Sequence, residues 1–153
     1  MEAGPLDESD GPEGDLIQVL YLSRATEPMS ESDLSALLEE IRERNERKEI
    51  TGLLLYGGQH FYQILEGARS AVTTTYAEIE GDRRHTDITR IAIRAVAERK
   101  FPRWWMGFQS LNPEEIKNNP VFHDLRNSDT LAKFPARGDD FFEVMYAMYK
   151  TNN

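Results

Sequence analysis

Residues 50–67 read ITGLLLYGGQHFYQILEG and contain two short apolar runs, ITGLLLY at 50–56 and FYQIL at 61–65. The pair Gly57 and Gly58 lies between the two runs. Short runs rich in branched and aromatic residues are typical of strands, and a short connection that contains glycine is typical of a hairpin. This stretch therefore predicts a β-hairpin with a glycine turn.

The sequence on either side of the hairpin predicts three more elements. Residues 16–23, LIQVLYLS, form an apolar run of the kind found in buried strands. Residues 30–44 begin with Ser-Glu-Ser-Asp, a capping-box pattern, and continue with leucine and isoleucine at helical spacing. Residues 69–80 also place apolar side chains on one helical face. We expect a strand and a helix before the hairpin and a second helix after it.

Two further apolar segments, at residues 87–96 and 104–111, predict strands. The resulting order is strand, helix, strand, strand, helix, strand, with one strand appended. This order is the split βαβ pattern of ferredoxin-like folds. We expect an α+β fold with a five-stranded sheet and both helices on one face.

The two ends of the chain differ in composition from this core, which occupies residues 15–111. Residues 1–14 carry five acidic side chains and no lysine or arginine, so they predict a disordered acidic tail. Residues 112–153 predict a helical extension, because residues 139–149 are apolar almost all round a helix. We expect the C-terminal helices on the opposite face of the sheet, or in the contact of a homo-oligomer.

Composition excludes several classes of function. The net charge of -9 argues against nucleic acid or an anionic membrane surface as a direct partner. The absence of cysteine excludes thiolate nucleophiles and cysteine-ligated metals. No apolar run approaches the roughly 20 residues of a membrane helix, and the acidic start is unlike a signal peptide. We expect a cytoplasmic protein.

The residues that enzymes use most often show no catalytic pattern. His60, His85 and His123 do not form a two-histidine helical motif, so no metal site is expected. The glycines do not follow a dinucleotide or phosphate-loop fingerprint. Most carboxylates belong to solvent-facing positions. The sequence therefore does not predict an enzyme.

Three polar residues stand out because of their apolar or helical surroundings. Tyr21 and Gln63 lie inside predicted strands, where a buried amide without a partner costs about 1–3 kcal/mol. Tyr21 is otherwise an ordinary strand aromatic, and Gln63 is otherwise a rim residue facing water. Asn45 follows the predicted first helix, where it serves either as a C-terminal cap or as a ligand contact. Spacing alone leaves these alternatives open.

Four stretches, LIQVLYLSR, RERNERKEITGLLLYGGQHFYQILEG, IEGDRRHTDI and RKFPRWWMGF, resemble in order and spacing the successive motifs of the BLUF family, sensors of blue light using FAD. The resemblance covers residues 16–111. It implies a flavin between the two helices, with FAD expected and FMN or riboflavin as alternatives. It also implies reversible light sensing without a net reaction.

The resemblance assigns roles to five residues. Tyr21 is similar to the tyrosine that donates an electron and a proton to the excited flavin, and Gln63 to the glutamine between that tyrosine and the ring. A phenol is oxidisable, and an amide offers both donors and an acceptor. Asn45 resembles the side chain that holds the pyrimidine edge of the flavin. Phe61 and Ile79 are expected to form apolar walls of the pocket.

Three charged or titratable residues are assigned less definitely by the resemblance. Arg84 and His85, expected to end the second helix, resemble family residues near the flavin, or else they complement the helix dipole. Arg44 stands where the family often has a second asparagine or another polar residue. Its role in flavin binding is therefore open.

Trp104 and Met106 alternate with Trp105 along the last predicted strand, so the first two share one face of the sheet. Either of them could approach Gln63. In the family the two residues are thought to exchange places. The resemblance therefore makes this strand a candidate for the element that transmits the light signal.

The output partner is not readable from the sequence. Residues 112–153 are too few for a catalytic effector domain, so we expect signalling through a separate effector protein or through assembly. Two other classes of function remain as alternatives. One is a flavin-dependent enzyme that uses Tyr21 and His85 as acid and base, and the other is a light-insensitive interaction module.

Overall fold

A computed structural model describes residues 15–102, 105–111 and 114. The elements in chain order are β1 Leu16–Ala25, α1 Glu31–Lys48, β2 Thr51–Gly57, β3 His60–Ala68, α2 Arg69–Glu80, β4 His85–Ala95 and β5 Gly107–Ser110. The predicted acidic tail, the predicted helix at 139–149 and Trp104 lie outside the described residues.

The strands form one five-stranded sheet in the order β4-β1-β3-β2-β5. Four of the strands pair in antiparallel fashion, and β5 adds to the edge of β2 in parallel. The predicted ferredoxin-like sheet is thus confirmed. The hairpin of β2 and β3 turns at Gly58 and Gln59, with φ of 57° and 65°. Positive φ at both central residues matches the right-handed twist of the two strands.

Helix α1 starts at the predicted capping box. The Asp33 backbone N–H donates to Ser30 Oγ at 3.1 Å, and the Ser30 N–H donates to Asp33 Oδ2 at 3.0 Å. The helix ends at Lys48, four residues later than predicted, because Glu49 adopts a left-handed C-cap with φ of 55°. Asn45 therefore lies within the last turn of α1, and its prediction as a residue beyond the helix is wrong.

Both faces of the sheet are buried. The face under α1 and α2 carries Val19, Tyr21, Leu54 and Leu65 in one core with the helix side chains. Alternate residues point to the far face, since side chains alternate along a strand. Five apolar side chains of that far face are at most 2 % exposed: Leu20, Leu53, Leu55, Tyr62 and Ile64.

The last two strands differ from their predicted bounds. β4 starts earlier than predicted, and its pairing with β1 shifts register twice, which accounts for its imperfect alternation. β5 starts at Gly107, so Trp105 and Met106 precede the strand instead of belonging to it. Sheet alternation therefore does not decide where these two side chains point. No helix among the described residues has the length and apolar character needed to cross a membrane.

Candidate functional site

Tyr21 and Gln63 face each other across neighbouring strands of the sheet. They are direct partners in the register of β1 and β3, and Gln63 is in turn opposite Leu54 on β2. Tyr21 is 3 % exposed and Gln63 is 2 % exposed. The Tyr21 hydroxyl donates a short hydrogen bond to Gln63 Oε1. Gln63 is therefore a buried, paired amide, and the alternative of a water-facing rim residue does not apply.

Met106 lies on the other side of the Gln63 amide. Gln63 Nε2 donates to Met106 Sδ at 3.4 Å, and Met106 is 1 % exposed. Gly52 lies next to this side chain, but its lack of a Cβ is required by β3, because a Cβ at Gly52 would lie 1.9 Å from the Ile64 carbonyl oxygen and at an ordinary contact distance of 3.4 Å from Met106 Cε. A thioether is a weak acceptor, so the amide keeps donor capacity for a better partner.

A cleft of about 450 Å³, counting the part open to solvent, lies between α1 and α2 above this pair. Apolar side chains of both helices and of the sheet form its walls, and polar side chains lie on its floor and at one end. The lining residues are Tyr21, Leu37, Ile41, Arg44, Leu54, Phe61, Gln63, Ile79, Asp82, Arg84 and His85.

The structure brings seven of the predicted site residues together in this cleft. They are Arg44, Phe61, Gln63, Ile79, Arg84, His85 and Tyr21. Leu37 and Ile41 also line it. Their spacing of four residues on the apolar face of α1 could have identified them as lining residues from the sequence. Leu54 and Asp82 were missed as lining residues, because only the strand register and the turn after α2 bring them there.

Arg84 links α1 to the turn that follows α2 at the mouth of the cleft. Its guanidinium bonds Asp82 through Nε at 3.0 Å and Glu40 of α1 through Nη1 at 3.0 Å. The hydrogen bonds from Arg84 lower the pKa of both carboxyl groups. The prediction that Arg84 and His85 end the second helix is wrong, since α2 stops at Glu80 and His85 starts β4.

Both ring nitrogens of His85 have partners. His85 Nε2 lies 2.6 Å from the Ile79 carbonyl oxygen and Nδ1 lies 2.8 Å from Ser23 Oγ. A carbonyl oxygen only accepts, so Nε2 carries a hydrogen. The ring thus binds a carbonyl in the last turn of α2, and its edge contacts Tyr21 with a centroid separation of 6.5 Å.

Asn45 is fully buried but lies outside the lining of the cleft. Its Nδ2 donates to the Trp105 carbonyl oxygen at 2.7 Å, and its Oδ1 receives only a long contact of 3.5 Å from Arg44 Nε. Arg42, which the sequence analysis missed, donates from Nε to the Met106 carbonyl oxygen at 2.8 Å. Helix α1 therefore holds two consecutive carbonyls of the segment before β5.

Burial controls the acidity of the two tyrosines at the floor of the site. Burial raises the pKa of Tyr21 far above its usual value, and the nearby Tyr76 adds to the effect. The two rings meet edge to face with their centroids 5.5 Å apart. Burial also raises the pKa of Tyr76 to about 12. Both phenols therefore keep their protons at every physiological pH.

These raised pKa values predict how stability depends on alkaline pH. An exposed tyrosine of the unfolded chain ionises at about pH 10, so as the pH rises the unfolded state loses this proton before the folded state does. The contribution of Tyr76 to the free energy of unfolding should be intact below about pH 10 and lost between there and about pH 12. Urea unfolding of the wild type and of Tyr76→Phe across this range measures it. The wild type should lose stability faster, by up to about 1.4 kcal/mol per pH unit; equal losses would contradict the assignment.

Comparison with known proteins gives a consistent result. The sequence model of BLUF, described as sensors of blue light using FAD, matches residues 16–107. The photoactivated adenylate cyclase subunit beta of Euglena gracilis is 37% identical over 123 residues. The match covers 80% of this chain and 14% of the cyclase subunit, so the chain spans about a seventh of that relative's length.

Solved structures agree with the sequence comparison. The dark-state structure of BlrB, a BLUF protein, matches with a TM-score of 0.64 and 33% identity, covering 74% of this chain and 86% of BlrB. The ground state of BlsA matches with a TM-score of 0.67 and 26% identity, covering 86% of this chain and 87% of BlsA. With its matching sequence and its five-stranded sheet under two helices, the chain belongs to the BLUF family, the sensors of blue light using FAD.

Proposed function

We propose that this chain is a blue-light photoreceptor that binds FAD between α1 and α2 and switches reversibly without a net reaction. One observation carries the proposal. The Tyr21 hydroxyl bonds the Gln63 amide on the buried floor of a cleft that has apolar walls and charged side chains at one end. This arrangement joins an oxidisable phenol to a side chain that can reverse its hydrogen bonds.

The cleft residues fit a flavin. Leu37, Ile41 and Ile79 offer apolar walls to a flat aromatic ring. Gln63 Nε2, which bonds only a weak thioether acceptor among the described residues, has donor capacity for a ring heteroatom. Asn45 does not line the cleft in this structure, so its proposed polar contact with the flavin, through Oδ1, requires that its side chain become exposed to the cleft; its Nδ2 is held by the Trp105 carbonyl.

The surface next to the cleft carries charges of both signs. A groove between α1 and α2 shares Arg44 and Asp82 with the cleft. Its basic side chains are Arg44, Arg47 and Lys48, and its acidic ones are Glu40, Glu43, Glu78 and Asp82, with Lys48 paired to Glu78. Because this charge does not favour a phosphate, we propose FAD from the family description, with FMN and riboflavin as alternatives.

The residues at the floor of the cleft would carry the photochemistry. A flavin in the cleft would supply the absorption of blue light and, in its excited state, an acceptor for an electron and a proton. Tyr21 would give up both and recover both afterwards, so that no net reaction results; burial keeps its phenol protonated in the dark, and its hydroxyl is bonded to Gln63 Oε1. When the Gln63 amide turns over, Nε2 faces the Tyr21 oxygen and Oε1 faces Met106 Sδ, which has no hydrogen to donate. The contact between Gln63 and Met106 would therefore differ between the two orientations of the amide.

The same geometry gives less support to a flavin-dependent enzyme. That alternative uses Tyr21 and His85 as acid and base, but the Tyr21 hydroxyl is bonded to Gln63 and both His85 nitrogens are bonded to the protein. A general acid or base needs a proton within reach of its substrate. These internal partners favour a sensor over a catalyst.

The proposal is tested by the absorbance of the protein loaded with FAD. Blue light should move the flavin absorbance to the red, and darkness should restore it completely over repeated cycles. FMN and riboflavin, loaded in the same way, show which part of the cofactor affects binding. Bound flavin with an unchanged spectrum would favour the interaction module, and turnover of a reduced nicotinamide would favour the enzyme.

Output is proposed to pass through a separate effector protein or through a homo-oligomer in the cytoplasm. The relatives named photoactivated adenylate cyclase and the structure of a bacterial light-regulated adenylyl cyclase support light control of an effector. Within the described residues, Trp105 and Met106 are the segment that contacts both Gln63 and α1. This segment is the proposed route from the amide to a partner.

A further inference from the structure

Glu66 is a fully buried carboxylate on the far face of the sheet, away from the cleft. It accepts hydrogen bonds from Gln18 Nε2 at 2.5 Å, Thr51 Oγ1 at 3.1 Å, and the backbone N–H groups of Lys100 at 2.8 Å and Phe101 at 2.9 Å. A buried carboxylate is costly unless donors surround it. These four donors satisfy both oxygens of Glu66.

The position of Glu66 on β3 connects it to the site. It follows Gln63 by three residues, so the two side chains point to opposite faces of the same strand. Lys100 and Phe101 are bonded on the Glu66 side, whereas Met106 contacts Gln63 on the helix side. The two described points, Lys100 with Phe101 and Trp105 with Met106, are therefore bonded on opposite sides of the sheet.

Hydrogen bonds hold the backbone at both of these points. Glu66 binds two consecutive backbone N–H groups, those of Lys100 and Phe101. Asn45 and Arg42 of α1 bind the carbonyl oxygens of Trp105 and Met106. Because few residues separate Phe101 from Trp105 along the sequence, the place of Phe101 limits where Met106 can lie.

We propose that Glu66 is a positioning residue for the photoresponse, which it affects by fixing the backbone of Lys100 and Phe101, a few residues before the Met106 whose Sδ contacts the Gln63 amide. The inference rests on the proposed function. Glu66 touches neither Tyr21 nor the cleft. It acts through the backbone: while Lys100 and Phe101 stay bonded, Met106 Sδ keeps its place beside Gln63 when the amide turns.

The groups around Glu66 require a side chain that accepts hydrogen bonds at both of its terminal atoms, as a carboxylate does. All four groups that face the carboxylate donate, and one backbone N–H faces each oxygen. In Glu66→Gln, either orientation of the new amide turns an NH₂ group toward one of these two N–H groups. The variant thus keeps the size of the side chain while one backbone anchor loses its acceptor.

The test uses the full chain loaded with FAD. Glu66→Gln should keep the red shift, and its dark recovery should be faster by about threefold to tenfold, the effect of one lost hydrogen bond. The change should disappear when Glu66→Gln is made in a Met106→Ala background, because the coupled residue is then absent. Glu66→Asp, which withdraws the carboxylate by one methylene, is the second variant and should change recovery in the same direction.

Thr51→Val is the matched control. It removes the hydrogen bond from Thr51 Oγ1 to Glu66 and the one that Thr51 Oγ1 accepts from Arg99, but it leaves both backbone N–H groups bonded to Glu66, so dark recovery should stay within about twofold of the wild type. In the dark, hydrogen exchange at the Lys100 and Phe101 amides should accelerate in Glu66→Gln and remain slow in Thr51→Val. This measurement does not depend on light.

Three results would overturn the inference while the wild type still shows its red shift. They are unchanged recovery in both Glu66 variants, an equal change in the Met106→Ala background, or an equal change in Thr51→Val. Each would mean that the carboxylate contributes only to general stability. A wild type without any red shift would refute the proposed function, and this inference with it.

Discussion

Tyr21→Phe should bind flavin as the wild type does and show no light-induced red shift. Phenylalanine keeps the ring that packs against Tyr76 and His85. It lacks the hydroxyl that donates to Gln63 Oε1, and with it the proton and the readily oxidised phenol. The change should therefore abolish the response without closing the cleft. Absorbance spectra in the dark and under blue light measure it directly.

Tyr76→Phe is the control for this variant. Tyr76 is buried and lies edge to face with Tyr21, but the hydroxyl that bonds Gln63 belongs to Tyr21. We expect Tyr76→Phe to keep the full red shift. A complete photocycle in Tyr21→Phe would remove Tyr21 from the mechanism, and an equal loss in both variants would point to general damage of the core.

Gln63→Leu should also bind flavin and fail to switch. Leucine fills the same space but offers neither the acceptor for Tyr21 nor the donor for Met106 Sδ. The variant should be destabilised by about 1–3 kcal/mol as well, because the buried Tyr21 hydroxyl loses its acceptor. Flavin absorbance reports the loss of switching, and urea unfolding reports the free energy.

Two further variants make this prediction specific. Gln18→Leu replaces another fully buried glutamine, on the far face of the sheet, and should keep the red shift. The double variant Tyr21→Phe with Gln63→Leu should recover part of the lost stability, since removing both partners leaves no unpaired group. A normal red shift in Gln63→Leu would rule out the amide as the switch.

The local features of the fold could be predicted because their signals are local. The hairpin around Gly58, the capping box of Ser30 and Asp33, and the apolar stripe of α1 each depend on residues a few positions apart. Such patterns are read from propensity and spacing alone. The order of these elements then left the ferredoxin-like sheet as the expected arrangement.

The errors in the element bounds arise where the local signal ends. The apolar stripe of α1 stops at Ile41, so the polar last turn up to Lys48 was not predicted. β5 was predicted to include Met106 because the aromatic run resembles a strand. That run is held instead by α1 side chains before the strand begins. The left-handed C-cap at Glu49 decided the end of α1, and contacts with α1 decided the start of β5.

Residue patterns were enough to predict the helices and strands, their order and the family resemblance. They also marked Tyr21 and Gln63 as unusual polar residues in apolar strands. Only the tertiary structure decided that these two side chains meet, that Met106 reaches the amide, and that Glu66 anchors the chain behind it. The physical reason is strand register. A shift of one residue between β1 and β3 would turn one of the two side chains to the opposite face, and this register is set by the packing of the whole sheet.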